Sequence, residues 1–102
     1  MFDTTYIDLG KVKPRTTISF HYRYDDEIKM ITRLTTPCDC TRVWVDREDK
    51  RVVVNFTPRD VPKHLQNQGY YDSVKVIKVE YLNTSDVKLE QGLVFLAKVT
   101  KN

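Results

Sequence analysis

Glycine and proline are scarce in this chain, with three and four residues respectively out of 102. That scarcity excludes collagen-like and low-complexity chains and argues against disorder. Long apolar runs are also missing. No stretch approaches the length that spans a bilayer, so no membrane role is expected. The opening Met1-Phe2-Asp3-Thr4-Thr5 lacks the basic start and apolar stretch of a secretory signal. The expectation is therefore a protein made in the cytoplasm without a signal peptide. Asn55-Phe56-Thr57 and Asn83-Thr84-Ser85 fit the glycosylation pattern but are read as coincidence without a secretory route. Charge of one sign is lacking as well: 17 basic residues against 14 acidic leave a net +3. The signs are interleaved, so no nucleic-acid partner is expected. The one short basic cluster, Lys11, Lys13 and Arg15, is read as a solvated turn. Motifs that would carry chemistry are absent too. There is no glycine-rich phosphate loop, no His-Glu-x-x-His and no calcium loop. His21 has Ser19 and Arg23 as same-face neighbours on a strand, a polar patch but not a nucleophilic triad. No enzymatic activity and no cofactor are expected.

What is present is alternation. Period-two patterning puts successive side chains on opposite faces of a strand. The length suits one domain, residues 1–102, with a modest core. The first strand is expected over Tyr6 to Leu9, with a turn at Lys11 to Arg15. The second has Ile18, Phe20, Tyr22 and Tyr24 on one face. The third runs from Ile28 to about Thr36 and breaks phase in a way that a bulge near Met30 would repair. The fourth spans Thr41 to Val45. The fifth turns Val52, Val54 and Phe56 inward and stops at Pro58. Residues 59–71 form the longest loop, with a short helical turn near Pro62 to Gln66. The sixth strand is expected over Asp72 to Leu82 and the last over Val87 to Thr100, with Gly92 marking a bulge. About seven strands without a convincing helix predict an all-β, antiparallel β-sandwich. The first and last strands are its candidate edges, where a partner could add a strand.

Both cysteines lie in Pro37-Cys38-Asp39-Cys40-Thr41. Two thiolates could hold a soft metal, but two ligands do not complete a zinc site. A disulfide between residues two apart would be strained and reactive. In a reducing cytoplasm both are expected as free thiols. Cys38 and Cys40 are thus weak candidates for metal or thiol chemistry, and a packed pair is the plainer reading.

The same motif carries a resemblance. Ile7-Asp8-Leu9-Gly10-Lys11-Val12 is similar to an opening strand of the form Phe-Asp-Phe-Gly-x-Ile. Phe20 matches the alternating strand that follows. Cys38, Cys40 and Thr41 match a Ser-Cys-Gly-Cys-Thr hallmark. Val54-Asn55-Phe56-Thr57-Pro58 matches Val-x-Phe-x-Pro, and Leu93 to Val99 the closing strand. Together they resemble a bacterial family of small immunoglobulin-like domains, similar to ASH/Hydin-type and PapD-like sandwiches. The resemblance covers nearly the whole chain. It implies an immunoglobulin-like sandwich and no catalytic residues. Asp39 departs from the hallmark glycine, and Asp49-Lys50-Arg51 stands where the family has Ile-x-Pro-Gly. Family members are commonly exported.

Candidate binding residues come from the loop and the aromatics. Tyr70 and Tyr71 close the long loop, and only one of them can point inward. His64 lies within that loop. Trp44 is either a core plug or an exposed anchor. The expected function is a structural or binding module that docks onto a larger assembly. A bacteriophage virion is the leading case, with capsid or tail subunits as protein partners. The alternatives are an adaptor that takes up a peptide by edge-strand addition, and a thiol or metal handler built on Cys38 and Cys40.

Overall fold

A computed structural model describes residues 1–101. Seven strands form two sheets: β1 (Tyr6–Val12), β2 (Ile18–Arg23), β3 (Ile28–Thr35), β4 (Thr41–Asp46), β5 (Arg51–Phe56), β6 (Tyr70–Asn83) and β7 (Lys88–Thr100). One sheet runs β1-β7-β6-β3 and the other β2-β5-β4. β2-β5-β4 faces β7-β6-β3 as B-E-D faces G-F-C in an immunoglobulin-like sandwich, and β1 joins the larger sheet beside β7. All pairings are antiparallel except one: β1 runs parallel to β7. Among the described residues the only helical segment is a single 3-10 turn, Lys63–Leu65, inside the span where a short helical turn was expected. No helix there is long and apolar enough to cross a membrane.

The core follows from alternation. β5 buries Val52, Val54 and Phe56, and β7 buries Leu93, Phe95, Ala97 and Val99. Phe95 sits at the junction of the two sheets. Its ring meets Phe20 and Phe56 edge-on, at centroid distances of 5.0 and 5.1 Å. Such edge-to-face contacts set the positive ring edge against a negative ring face.

Tyr22 adds a polar tie. Its hydroxyl donates to the Val94 carbonyl across the sandwich at 2.7 Å, so a phenol on β2 holds the backbone of β7. Burial pushes this phenol well above the ordinary tyrosine range. A folded pKa raised above the unfolded one leaves stability intact below pH ~10 and erodes it above, where only the unfolded phenol ionises. Tyr22→Phe is expected to destabilise by about 1–2 kcal/mol at neutral pH and to blunt the alkaline loss. Urea titrations at pH 7 and pH 11 measure both effects.

Several boundaries differ from the alternation reading, each for a physical reason. β1 continues past Leu9 to Val12 because Gly10, at φ +71°, takes up an irregularity between Asp8 and Lys11. The Asp8 carboxylate accepts the Gly10 N–H at 2.8 Å and holds the kink. In β3 the register shifts between Ile28 and Met30, as the phase break implied, and again between Ile31 and Arg33. β6 starts at Tyr70, two residues before the expected Asp72. β7 has no bulge at Gly92, since its register with β6 is unbroken from Lys88 to Thr100. A Cβ at that glycine would stand 3.3 Å from Val76 Cγ1, so the glycine makes room for a side chain on the next strand. Finally, the last strand is not an edge. It lies between β1 and β6, and the edges of the larger sheet are β1 and β3.

Candidate functional site

The outer face of the larger sheet carries an apolar patch. Tyr6 pairs with Val94, and Val94 with Val76. In the next row Asp8 pairs with Leu96, and Leu96 with Val74. Residues opposite each other share a face, so Tyr6, Val94, Val76, Leu96 and Val74 form one contiguous surface across β1, β7 and β6. Tyr6, Val74 and Val76 are 57%, 64% and 50% exposed. Charge of both signs rims the patch. Lys11, Lys98 and Asp72 lie in register on one side. On the other, Lys78 pairs with Glu90 at 3.2 Å.

The same part of β6 is inverted in its alternation. Ser73 and Lys75, which occupy the inward phase with buried Ile77 and Val79, line a hollow, while Val74 and Val76 face out. The hollow measures about 260 Å³, and its other walls include Cys38, Cys40, Phe56, Arg59 and Tyr71. It lies beside a gap in the sheet. β3 pairs with β6 only from Lys78 to Asn83. From Tyr70 to Ile77, β6 has β7 on one side and no paired strand on the other.

Cys38 and Cys40 are bonded to each other, which corrects the expectation of two free thiols. The β3–β4 turn brings their Cα atoms to 5.2 Å, within the usual disulfide range. In this oxidised form neither sulfur is a thiolate ligand. Among the described residues no group of three or more His, Cys, Asp or Glu side chains comes together. The bridge lies against the buried Thr41, whose hydroxyl is 3.6 Å from Cys38 Sγ and 3.5 Å from Cys40 Sγ. Asp39, between the cysteines, pairs with Arg59 and so ties this turn to the segment after β5. Cys40 also lines a second, more polar hollow of about 350 Å³ with Thr17, Asp39, Arg42, Asn55 and Thr57.

The four aromatic and imidazole candidates do not converge. Tyr71 points inward at the first hollow and donates its hydroxyl to the Arg59 carbonyl at 2.8 Å. Partial burial raises its phenol pKa, with Arg59 acting in the opposite sense. Tyr70 is half-buried on the outer face, with the Lys98 ammonium 4.1 Å above its ring. His64 is exposed on the 3-10 turn. Trp44 is 45% exposed on the outside of the smaller sheet, in register with Val53 and, beyond it, His21. The exposure rules out the core plug.

The patch residues were not singled out from the sequence, although a signal was there. Leu93-Val94-Phe95-Leu96-Ala97 is an unbroken apolar run, the pattern of a strand covered on both faces. No family model, no curated protein and no solved structure matches this chain.

Proposed function

We propose that this chain is a non-catalytic docking module that binds a folded protein subunit of a larger assembly through the outer face of its four-stranded sheet. A bacteriophage virion is the assembly we favour, with the domain as a capsid decoration or a neck or tail component. One observation carries the reading: the two apolar rows Tyr6–Val94–Val76 and Leu96–Val74 on an exposed sheet face. Contiguous exposed apolar surface with a polar rim is the anatomy of a protein interface. The surface is a sheet face, which suits a folded partner, and the mixed rim argues against a polyanion. Kinship with the Cys-Gly-Cys-Thr domains belongs to the same proposal. Its support is that the three motif residues Cys38, Cys40 and Thr41 form one contact cluster.

The test is density-gradient sedimentation of a gently lysed native source, with the chain located by peptide mass spectrometry. Migration with large particles supports the reading. Migration with small proteins sinks it, whether the chain runs as a monomer or covers the face with a second copy of itself. Analytical ultracentrifugation of the purified protein tells those two apart.

A second reading has its own support. The stretch of β6 from Tyr70 to Ile77 that β3 does not cover is a sheet edge, and a peptide could add to it as a strand. A proline replacing Lys75, which would remove a backbone donor at that edge or in the ladder to β7, does not separate the two cases. An exogenous strand-forming peptide does: its binding would protect backbone amides of 70–77 from hydrogen exchange and leave the Tyr6 side chain as exposed as before.

A further inference from the structure

The bond between Cys38 and Cys40 spans a sequence separation of 2. A cross-link stabilises a fold mainly by restricting the unfolded chain, and the benefit grows with the loop it closes. This loop holds a single residue, so the fold gains little from it. Its surroundings suit a different role. Both cysteines are half-buried and line the first hollow, and Cys40 lines the second as well, so a thiol has a route to the bridge. Thr41 is buried, and its hydroxyl lies within reach of both sulfurs, at 3.6 and 3.5 Å. Whichever cysteine leaves as thiolate meets a hydroxyl donor. Lys75 and Arg59 add positive charge to the first hollow. Arg59 is partly neutralised by Asp39, and Asp60, also on the wall, is engaged by Arg15. Lys75 takes part in none of the ion pairs among the described residues. Nearby cations and hydrogen-bond donors stabilise a thiolate and make it a better leaving group.

We propose that Cys38–Cys40 is a stoichiometric thiol–disulfide exchange site that oxidises a dithiol, one pair per chain. A thiolate of the dithiol attacks one sulfur of the bridge. The S–S bond breaks, a mixed disulfide forms, and the other cysteine leaves as a thiolate facing the Thr41 hydroxyl. The second thiol of the dithiol then attacks the mixed disulfide and releases the remaining cysteine. The dithiol ends as a disulfide. Two electrons and two protons end on Cys38 and Cys40. The site stands apart from the docking reading, because its reduction needs no partner protein.

The test uses the purified full chain under native conditions. The chain is equilibrated with graded reduced and oxidised glutathione and then alkylated, and intact mass counts the alkyl groups. Its rate of reduction by dithiothreitol is measured by the same trap. An exchange site goes to the two-alkyl form within the range of glutathione mixtures, without denaturant. Thr41→Val slows reduction by dithiothreitol about tenfold, and Thr41→Ser restores it. Lys75→Gln, at a half-exposed position, slows it as well and covers the case in which Thr41→Val fails to fold. A bridge that stays oxidised in excess reduced glutathione until the protein is denatured is a purely structural one and overturns the proposal. So does wild-type kinetics in folded Thr41→Val and Lys75→Gln.

Discussion

Phe95→Ala is expected to lower stability by about 3–5 kcal/mol, enough to leave much of a small domain unfolded at room temperature. Phe95 is fully buried, and its ring is the meeting point of Phe20 from β2 and Phe56 from β5. Truncation removes the ring's own burial and both edge-on contacts. It also opens a void that two neighbouring rings, fixed to adjacent, paired strands of the other sheet, cannot collapse to fill. The control lies one residue away. Val94→Ala alters the outward face of the same strand, where the side chain is half-buried, and should cost about 1 kcal/mol or less. Urea unfolding of the two variants decides the matter. Equal losses would mean that β7 does not separate a core face from an outer face as described.

The second large effect concerns binding rather than folding. The pair Val74→Glu and Val76→Lys puts two charges on the β6 side of the apolar patch and leaves the net charge at +3. Long-range steering is therefore unchanged, and any loss of docking is local. Even as neighbours of opposite sign, the two charges must give up their water against an apolar partner, a desolvation that their mutual attraction repays only in part. Affinity for the assembly should fall at least about a hundredfold, an effect of roughly 3 kcal/mol. Both side chains are exposed in the free domain, so its thermal midpoint should move by only a few degrees. A doubly substituted domain that still co-sediments with the large particle would remove the patch from the interface.

How far the sequence reaches can be judged strand by strand. β2 and β5 were legible because one face of each is wet. Ile18, Phe20 and Tyr22 alternate with polar residues, and Val52, Val54 and Phe56 fall on one phase. The irregularity in β3 was legible for the same reason, since a phase break has few physical repairs. β7 was harder to place because it has no wet face in its middle: Val94 and Leu96 are as apolar as Phe95. Alternation therefore said strand but could not say central strand. The parallel pairing of β1 with β7 was out of reach, since it joins opposite ends of the chain and leaves no local pattern. The candidate site shows the same division. The inward and outward roles of Tyr71 and Tyr70 follow from strand parity once the strand starts at Tyr70. The cysteine bond does not follow from spacing alone, because it depends on how the turn after β3 folds back. The gap beside β6 depends on where β3 stops, a fact of pairing rather than of composition.

The β1–β7 pairing has a mechanical consequence. β1 leads from the N-terminal end of the domain and β7 leads to its C-terminal end, side by side and in the same direction. Tension applied to the two chain ends drags these neighbours past each other along their length. The load falls at once on both stretches of the ladder, before and after the Gly10 irregularity, and the bonds must break together rather than one after another. Stretched end to end in a force spectrometer, the domain should resist as a clamp and yield in a single step. A pull that opens the antiparallel β4–β5 hairpin should instead peel bonds singly at much lower force.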